Sequence, residues 1–179
     1  MSGIKIIAGQ YKGRVLVAPP GHGTRPTNVR ARQALFDILA HAPWCDLQEA
    51  YVLDVFAGTG AYGLEALSRG AKQASFMEQA PAALRALKAN IVTCGAANAS
   101  VLALDALHPP AGQRHDLVFL DPPYGQNLLN PALKALTAMG WVGAGSVIVA
   151  ETGPDEELDT PELLASRRHG KAQLKIWRV

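Results

Sequence analysis

Short apolar runs alternate with amphipathic stretches along most of this chain, a pattern typical of an α/β protein. The predicted strands cover residues 51–56, 74–77, 100–104, 117–120 and 146–150. The predicted helices cover residues 61–69, 81–94 and 128–139. Because strand and helix alternate, we expect a mostly parallel, doubly wound sheet.

The two ends of the chain depart from this alternation. Two strand-like runs, residues 4–8 and 14–18, lie close together around glycines and predict a β-hairpin. A helical pattern follows from Thr27 to about Ala40. At the other end, residues 163–169 and 172–179 leave no room for a helix between them. We therefore expect them to pair antiparallel, which gives the sheet a reversed last strand.

Composition narrows the class of protein. The 179 residues, 49% hydrophobic and 18% charged, suffice for one sizeable core. No apolar stretch is long enough to span a bilayer, and the N-terminus lacks the apolar region of a secretory signal. Cys45 and Cys94 are isolated, without partners at metal-ligand spacing, so we expect free thiols and no metal. These features predict a cytoplasmic protein that does not bind membranes.

Charge is distributed unevenly. Residues 1–36 carry a net +6 and the last thirteen residues a net +5, both without any acid, whereas residues 37–166 carry −9. This distribution indicates polyanion binding at the ends and a cationic or amine-bearing ligand in the middle. We expect two units, a basic, polyanion-binding extension over residues 1–42 and a larger domain over residues 43–179.

A glycine-rich loop follows the strand predicted at 51–56. Gly58, Gly60 and Gly63 match the spacing G-x-G-x-x-G between a strand and a helix, which several classes of cofactor share. Asp54 stands ahead of the glycines, where its carboxylate would repel a pyrophosphate and attract an ammonium group. The loop therefore predicts a cofactor that contains an amino acid.

Further acids follow the next strands. Glu78 ends the second strand, where an acid binds the two hydroxyls of a ribose. Asp105 ends the third and could reach the edge of an adenine, although a turn or N-cap aspartate is the alternative. Asp121 ends the fourth. A ligand that combines an ammonium, a ribose, an adenine and a cationic sulfonium is S-adenosylmethionine.

The tetrapeptide Asp121-Pro122-Pro123-Tyr124 follows the apolar run 117–120. Two prolines hold the backbone extended and remove two amide donors. The carboxylate and the carbonyl groups can then accept both hydrogens of a planar amine, while the aromatic side chain stacks on the ring that carries this amine. The alternative is a strand that ends at a Pro-Pro turn with a surface tyrosine.

These segments resemble the bacterial 16S ribosomal RNA guanine-N(2) methyltransferases of the RsmD type. The resemblance extends over essentially the whole chain and is most specific near the N-terminus. It is carried by residues 54–71, by residues 121–124, and by the N-terminal segments 6–9, 12–14 and 25–36.

The resemblance implies a class I, Rossmann-like methyltransferase with a seven-stranded sheet and a small N-terminal hairpin and helix. Asp121, Pro122, Pro123 and Tyr124 would be catalytic. S-adenosylmethionine, which becomes S-adenosylhomocysteine, would contact Asp54, Phe56, Ala57, Gly58, Thr59, Gly60, Glu78, Asp105, Ala106 and Asp121. RNA would contact Lys12, Arg14, Arg25, Thr27, Arg30 and Arg32, unless one or two of the arginines pair with acids of the sheet domain.

The implied partner is 16S rRNA in the small subunit or in an assembly intermediate, bound by a monomeric enzyme. Three alternatives remain open. An amino-methyltransferase could act on another RNA, or on an adenine or cytosine amine of DNA, with the same tetrapeptide. A nucleotide-dependent oxidoreductase could share the glycine spacing, and a noncatalytic RNA-binding factor could retain the fold.

Overall fold

The computed structural model describes residues 4–19, 29–123, 125–153, 158–170 and 172–179. Three predicted site residues, Arg25, Thr27 and Tyr124, lie outside these ranges. So does the predicted start of the first helix at Thr27.

The N-terminal hairpin and helix are confirmed. Strand β1 (Ile4–Lys5) pairs antiparallel with β2 (Val15–Leu16), so the paired part of the hairpin is shorter than predicted. Helix α1 covers Val29–His41. It buries the apolar side chains Leu35, Phe36 and Leu39.

The remaining elements form one seven-stranded sheet and three helices. The strands are β3 (Tyr51–Val55), β4 (Gln73–Glu78), β5 (Ala99–Ala103), β6 (Leu117–Leu120), β7 (Val147–Thr152), β8 (Leu163–His169) and β9 (Ala172–Arg178). The helices are α2 (Ala61–Ser68), α3 (Pro81–Cys94) and α4 (Leu129–Ala138). All predicted strands and helices are present, with ends shifted by one or two residues.

The strand order is β5-β4-β3-β6-β7-β9-β8. Strands β3 to β7 are parallel to one another, and β9 runs antiparallel to both β7 and β8. This confirms a mostly parallel sheet with a reversed last strand. The order reverses direction between β3 and β6, and open α/β sheets bind ligands in the crevice beyond the carboxyl ends of such strands.

Buried side chains form a core on each face of the sheet. One cluster joins α1, α2 and α3 to the sheet, and the other lies under α4. Ile4, Ile6 and Leu16 of the hairpin belong to the first cluster. The hairpin and α1 thus share a core with the sheet, and the domain division at residue 42 stays a prediction. Within the ranges described above, no helix has the length and apolar content needed to cross a membrane.

Candidate active site

The four predicted acids lie along one edge of the sheet. Asp54, Glu78, Asp105 and Asp121 belong to or follow β3, β4, β5 and β6, which are adjacent parallel strands. Val55 of β3 is level with Met77 of β4 on one side and Leu120 of β6 on the other. The carboxyl ends of these strands therefore meet at the same edge, and Asp54 and Asp121 lie on the two strands beside the reversal in strand order.

The glycine-rich loop folds over the end of β4. The backbone N–H of Ala57 donates to the carbonyl of Met77 at 3.2 Å, and that of Gly58 donates to Glu78 Oε2 at 3.0 Å. Phe56 has a φ of 59°, a left-handed conformation that costs roughly 1–3 kcal/mol for a residue with a side chain. Such strain persists where surrounding contacts impose it, as at the turn that begins this loop.

The third glycine of the motif allows α2 to approach the sheet. A Cβ atom on Gly63 would lie 2.4 Å from the ring of Phe76 and 3.2 Å from the Asp54 carboxylate. The Gly63 N–H donates to Asp54 Oδ2 at 2.9 Å. At Gly58, by contrast, a Cβ would meet only a carbonyl oxygen at 3.8 Å, so this glycine faces open space. Within the glycine motif, Gly63 thus permits close packing of α2 on the sheet, and Gly58 leaves open space beside the loop.

Asp54 is a buried acid, 2% exposed. Burial raises its pKa from 3.8 to about 7; the neighbouring carboxylate of Glu78 adds to this rise, and the Gly63 hydrogen bond opposes it. An ammonium group beside Asp54 would stabilise the ionised form. The buried Asp54 carboxylate therefore fits the ammonium group at the amino-acid end of S-adenosylmethionine.

Glu78 is held in a fixed orientation by the backbone. Its Oε1 accepts hydrogen bonds from the N–H groups of Gln79 and Ala80, both at 2.8 Å, in addition to the bond from Gly58 to Oε2. An ionised carboxylate has about four acceptor positions, and these bonds use three of them, so one remains for a hydroxyl donor. This arrangement fits one hydroxyl of a ribose.

Asp105 lies beyond the end of β5 in a turn. Its Oδ1 accepts the N–H of Leu107 and its Oδ2 pairs with His108 Nδ1, both at 2.9 Å. The hydrogen bond from His108 and then that from Leu107 lower the pKa of Asp105. These contacts support the alternative of a turn aspartate, and contact with an adenine stays a prediction. The neighbouring Ala106 is buried, 4% exposed.

Asp121 is half-buried at the start of the Pro-Pro turn; Pro122 is buried and Pro123 exposed. A narrow crevice beside it is lined by Tyr62, Phe119 and Glu151, among others. Tyr62 stacks on Phe119 with ring centroids 5.2 Å apart, and its hydroxyl lies 3.4 Å from Glu151 Oε2. Burial, with Asp121 and then Glu151 adding to it, raises the pKa of Tyr62.

Lys12 and Arg14 are exposed, but they lie far from this edge. The hairpin turn is attached to the end of α2, where Gln10 N–H donates to the Ser68 carbonyl and Tyr11 N–H to Ser68 Oγ, both at 2.9 Å. Helix α2 starts at the glycine-rich loop and ends at Ser68, so this turn lies at the opposite edge of the sheet. Arg30, in contrast, is exposed in the first turn of α1.

Arg32 corrects the predicted set of RNA contacts. Its side chain is fully buried, donates to the Lys5 carbonyl, and lies 3.8 Å from a carboxylate oxygen of Glu65. Burial lowers its pKa, and Glu65 opposes that change. The alternative that one of the arginines pairs with an acid of the sheet domain therefore applies to Arg32, which does not reach RNA in this arrangement.

Glu65 is a buried acid that the sequence interpretation overlooked. It accepts hydrogen bonds from Ile7 N–H at 2.8 Å, Ala8 N–H at 3.0 Å and Arg69 Nε at 2.7 Å. All eight residues of α2 are buried. The sequence did contain a sign of this role, because Glu65 is the only acid in an otherwise apolar helix. A buried acid must find partners inside the protein.

Asn90 is a second overlooked residue, fully buried in α3. Its Oδ1 accepts the Val17 N–H at 2.7 Å, and its Nδ2 donates to the carbonyls of Val17 and Thr59 at 2.9 Å. Thr59 belongs to the glycine-rich loop. One amide side chain thus connects the end of the hairpin to the proposed cofactor loop.

A family model described as Conserved hypothetical protein 95 matches residues 4–178. The chain belongs to this family. Two relatives are named Ribosomal RNA small subunit methyltransferase D. The Haemophilus influenzae protein is 37% identical over 97% of this chain and 93% of its own length. The Escherichia coli K12 protein is 40% identical over 88% of this chain and 78% of its own. The resemblance inferred from the sequence is confirmed.

Solved structures agree on the fold. An Escherichia coli protein, provisionally named methyltransferase yhhF, is 35% identical with a TM-score of 0.84, and the match covers 98% of this chain and 97% of that one. An RNA methyltransferase from Salinibacter ruber, solved with S-adenosyl-L-homocysteine, is 14% identical with a TM-score of 0.67, covering 86% and 92%. The fold is that of class I S-adenosylmethionine-dependent methyltransferases, as predicted.

Proposed function

We propose that this protein transfers a methyl group from S-adenosylmethionine to the exocyclic 2-amino group of one guanine in 16S rRNA. The family assignment and the names of relatives at 37–40% identity support methylation of small-subunit rRNA. The choice of a guanine amine is the finer part of the proposal. It rests on the resemblance to the RsmD-type guanine-N(2) methyltransferases, and the tetrapeptide that begins at Asp121 is compatible with it because it suits any planar amine.

The observation that carries the proposal is the position of two aspartates. Asp54 belongs to β3 and Asp121 follows β6, the adjacent strands between which the order reverses. A ligand in this crevice can therefore meet a cofactor-binding acid on one side and an amine-binding turn on the other.

The residues that hold the cofactor follow from the acidic side chains and the glycine backbone at the carboxyl ends of the strands. Asp54 binds the ammonium group, Glu78 a ribose hydroxyl, and the backbone of Gly58 and Gly60 borders the ligand; Asp105 is the proposed contact for adenine. When bound, S-adenosylmethionine supplies a methyl group on a positively charged sulfur. The acidic edge complements that charge.

Asp121 and Pro122 position the target amine. The lone pair of a guanine amine is delocalised into the ring, so the amine is a weak nucleophile. The Asp121 carboxylate and the Pro122 carbonyl each accept one amino hydrogen, which fixes the nitrogen and favours the geometry in which its lone pair is available. Orientation and electrostatics that strengthen as charge develops on nitrogen then lower the barrier. Once methylated, the nitrogen is strongly acidic and loses one proton, to Asp121 or to water. Tyr124 stacks on a base drawn out of its stack.

The proposed RNA contacts are those that the structure leaves exposed or does not describe. They are Lys12, Arg14, Arg25, Thr27 and Arg30, which would act on phosphates rather than on bases. We propose that a monomer acts in the cytoplasm on the small subunit or on an assembly intermediate.

Transfer of labelled methyl groups tests the proposal. Small subunits from cells that lack this protein should accept label from the purified enzyme, and nuclease mapping should place it on the N2 atom of a single guanine. Asp121→Ala serves as the inactive control. Label on an adenine or cytosine amine, preference for DNA, or calorimetric binding of NAD instead of S-adenosylmethionine would each refute the assignment.

A further inference from the structure

The C-terminal hairpin of β8 and β9 is a basic element that the proposed site does not use. The last thirteen residues contain five basic residues and no acid. Strand β8 is the edge of the seven-stranded sheet, and Arg167 and Arg168 on it are exposed. Natural sheets place charges on edge strands partly to prevent pairing with other chains, so charge alone does not establish a binding surface.

The strand register places these arginines level with the carboxyl ends of the parallel strands, where Asp121 lies. Leu120 of β6 is level with Ala150 of β7, Lys175 of β9 and Ser166 of β8. One residue further toward the carboxyl ends, Glu151 is level with Leu174 and Arg167. Asp121 directly follows Leu120, so Asp121 and Arg167 lie in the same row across four strands.

The distance between them suits a bound strand. Three strand spacings of about 4.8 Å separate β6 from β8, or roughly 14 Å. A stacked strand that rises ~3.4 Å per nucleotide, as in duplex DNA, covers this distance in about four nucleotides. Successive side chains point to opposite faces, so Arg167 shares the face of Leu174 while Arg168 shares that of Gln173. The pair therefore flanks the edge strand on both sides.

We propose that the β8–β9 hairpin binds the rRNA strand beside the target guanine, with Arg167 and Arg168 contacting its phosphates. This inference rests on the proposed function. Arginine forms planar, two-point contacts with phosphate, and an acid-free strand edge complements a polyanion. The N-terminal hairpin turn with Lys12 and Arg14 lies at the opposite edge, so the C-terminal hairpin supplies the basic surface in line with Asp121.

The double variant Arg167→Ala/Arg168→Ala tests the surface. Losing two phosphate contacts should reduce the salt dependence of rRNA-fragment binding by about 1.4 to 1.8 in the log–log slope. The KM for RNA should rise about tenfold or more at moderate salt, with kcat largely kept. Binding of S-adenosylhomocysteine and thermal unfolding should match the parent protein.

Two further variants sharpen the result. Lys88→Ala/Lys134→Ala removes the same charge from exposed positions on α3 and α4 and should leave the slope and KM near the parent values. Arg167→Lys/Arg168→Lys keeps the charge and should restore most of the salt slope. A double alanine variant with the parent slope and KM would overturn the inference.

The same assay separates this inference from the proposed function. If the parent protein methylates a guanine of small-subunit rRNA but the double alanine variant does so with unchanged KM, only the role of the hairpin fails. If the parent transfers no methyl group to rRNA, the proposed function fails and this inference fails with it. Normal affinity for naked rRNA with reduced transfer to subunits would point to a protein partner and would also overturn it.

Discussion

Asp54 and Asp121 lie on adjacent strands at the same edge, yet their surroundings differ. Asp54 is 2% exposed, accepts a backbone hydrogen bond from the helix beside it, and has a pKa raised to about 7. Asp121 is half-buried and is followed by a buried and then an exposed proline. One carboxylate is enclosed by the fold, and the other is partly exposed.

This difference in burial matches the two roles proposed for these carboxylates, cofactor binding for Asp54 and positioning of the target amine for Asp121. An enclosed carboxylate needs a cation to remain charged, so Asp54 suits a ligand that brings an ammonium group. A carboxylate near solvent can exchange amine partners without that penalty, which suits a substrate that must enter and leave. Variants at and around the two positions should therefore affect different steps.

The largest effect is expected for Asp121→Ala. Removing one preorganised group that stabilises charge in the transition state typically lowers kcat by about 10²–10³-fold. Affinity for S-adenosylhomocysteine, measured by calorimetry, should stay within about twofold because Asp54 is intact. Near-normal turnover would contradict the proposed division of roles.

Asp54→Asn should produce the opposite phenotype. Loss of the charge that pairs with an ammonium group should weaken cofactor binding by about 10- to 100-fold, since truncating a buried charge pair commonly costs 2 kcal/mol or more. At saturating cofactor, kcat for RNA should remain close to that of the parent. A variant that binds S-adenosylhomocysteine normally would exclude Asp54 as the ammonium ligand.

The comparison also predicts a pH dependence. Below about 7, Asp54 is increasingly protonated, so affinity for S-adenosylhomocysteine should fall about tenfold per pH unit as pH decreases. The sign is reversed for the unliganded protein. Its folded-state pKa is raised, so Asp54 contributes stability below pH 3.8 that is lost as pH rises through about 7. In Asp54→Asn both dependences should flatten, which calorimetry and thermal melts at several pH values would reveal.

Gly63→Ala offers the mildest test. The new methyl group would lie 2.4 Å from the ring of Phe76, so overpacking should cost about 1–3 kcal/mol of stability. Because the same atom presses on the Asp54 carboxylate, cofactor affinity should also fall a few-fold while kcat at saturation is kept. Gly95→Ala is the matched control. Gly95 has a φ of 66° with nothing near its Cβ position, so stability should fall without any change in affinity.

Much of the fold could be predicted because it depends on local pattern. Buried parallel strands are continuous apolar runs, and the glycine-rich loop lies within ten residues of Asp54. Strand β7 extends to Thr152, beyond its predicted end, because Glu151 and Thr152 pair with β9, whose residues come 21 or more positions later. Sequence pattern around residues 146–150 does not reveal that pairing.

The buried polar contacts could not be predicted in the same way. Glu65 binds backbone groups 57 and 58 positions away, and Asn90 binds Val17 at a separation of 73. Arg32 belongs to a strongly basic segment, so its charge indicated a surface role, although its partners lie inside the protein. Only the packing of α1 and the hairpin on α2 distinguishes it from Arg30.

The Asn90 contact has a practical consequence for anyone seeking a minimal catalytic fragment. Deleting the first nineteen residues would remove the backbone N–H and carbonyl of Val17, which bond to Asn90. It would also remove the N–H groups of Ile7 and Ala8, which donate hydrogen bonds to Glu65. The shortened chain would retain Asp54, Glu78, Asp105 and Asp121. It would nevertheless lose the hydrogen bonds from Val17 that help to hold Asn90 against Thr59 in the glycine-rich loop. Chimeras built from such enzymes should exchange the N-terminal hairpin together with the α2 and α3 residues that it contacts, and should not be joined near residue 42.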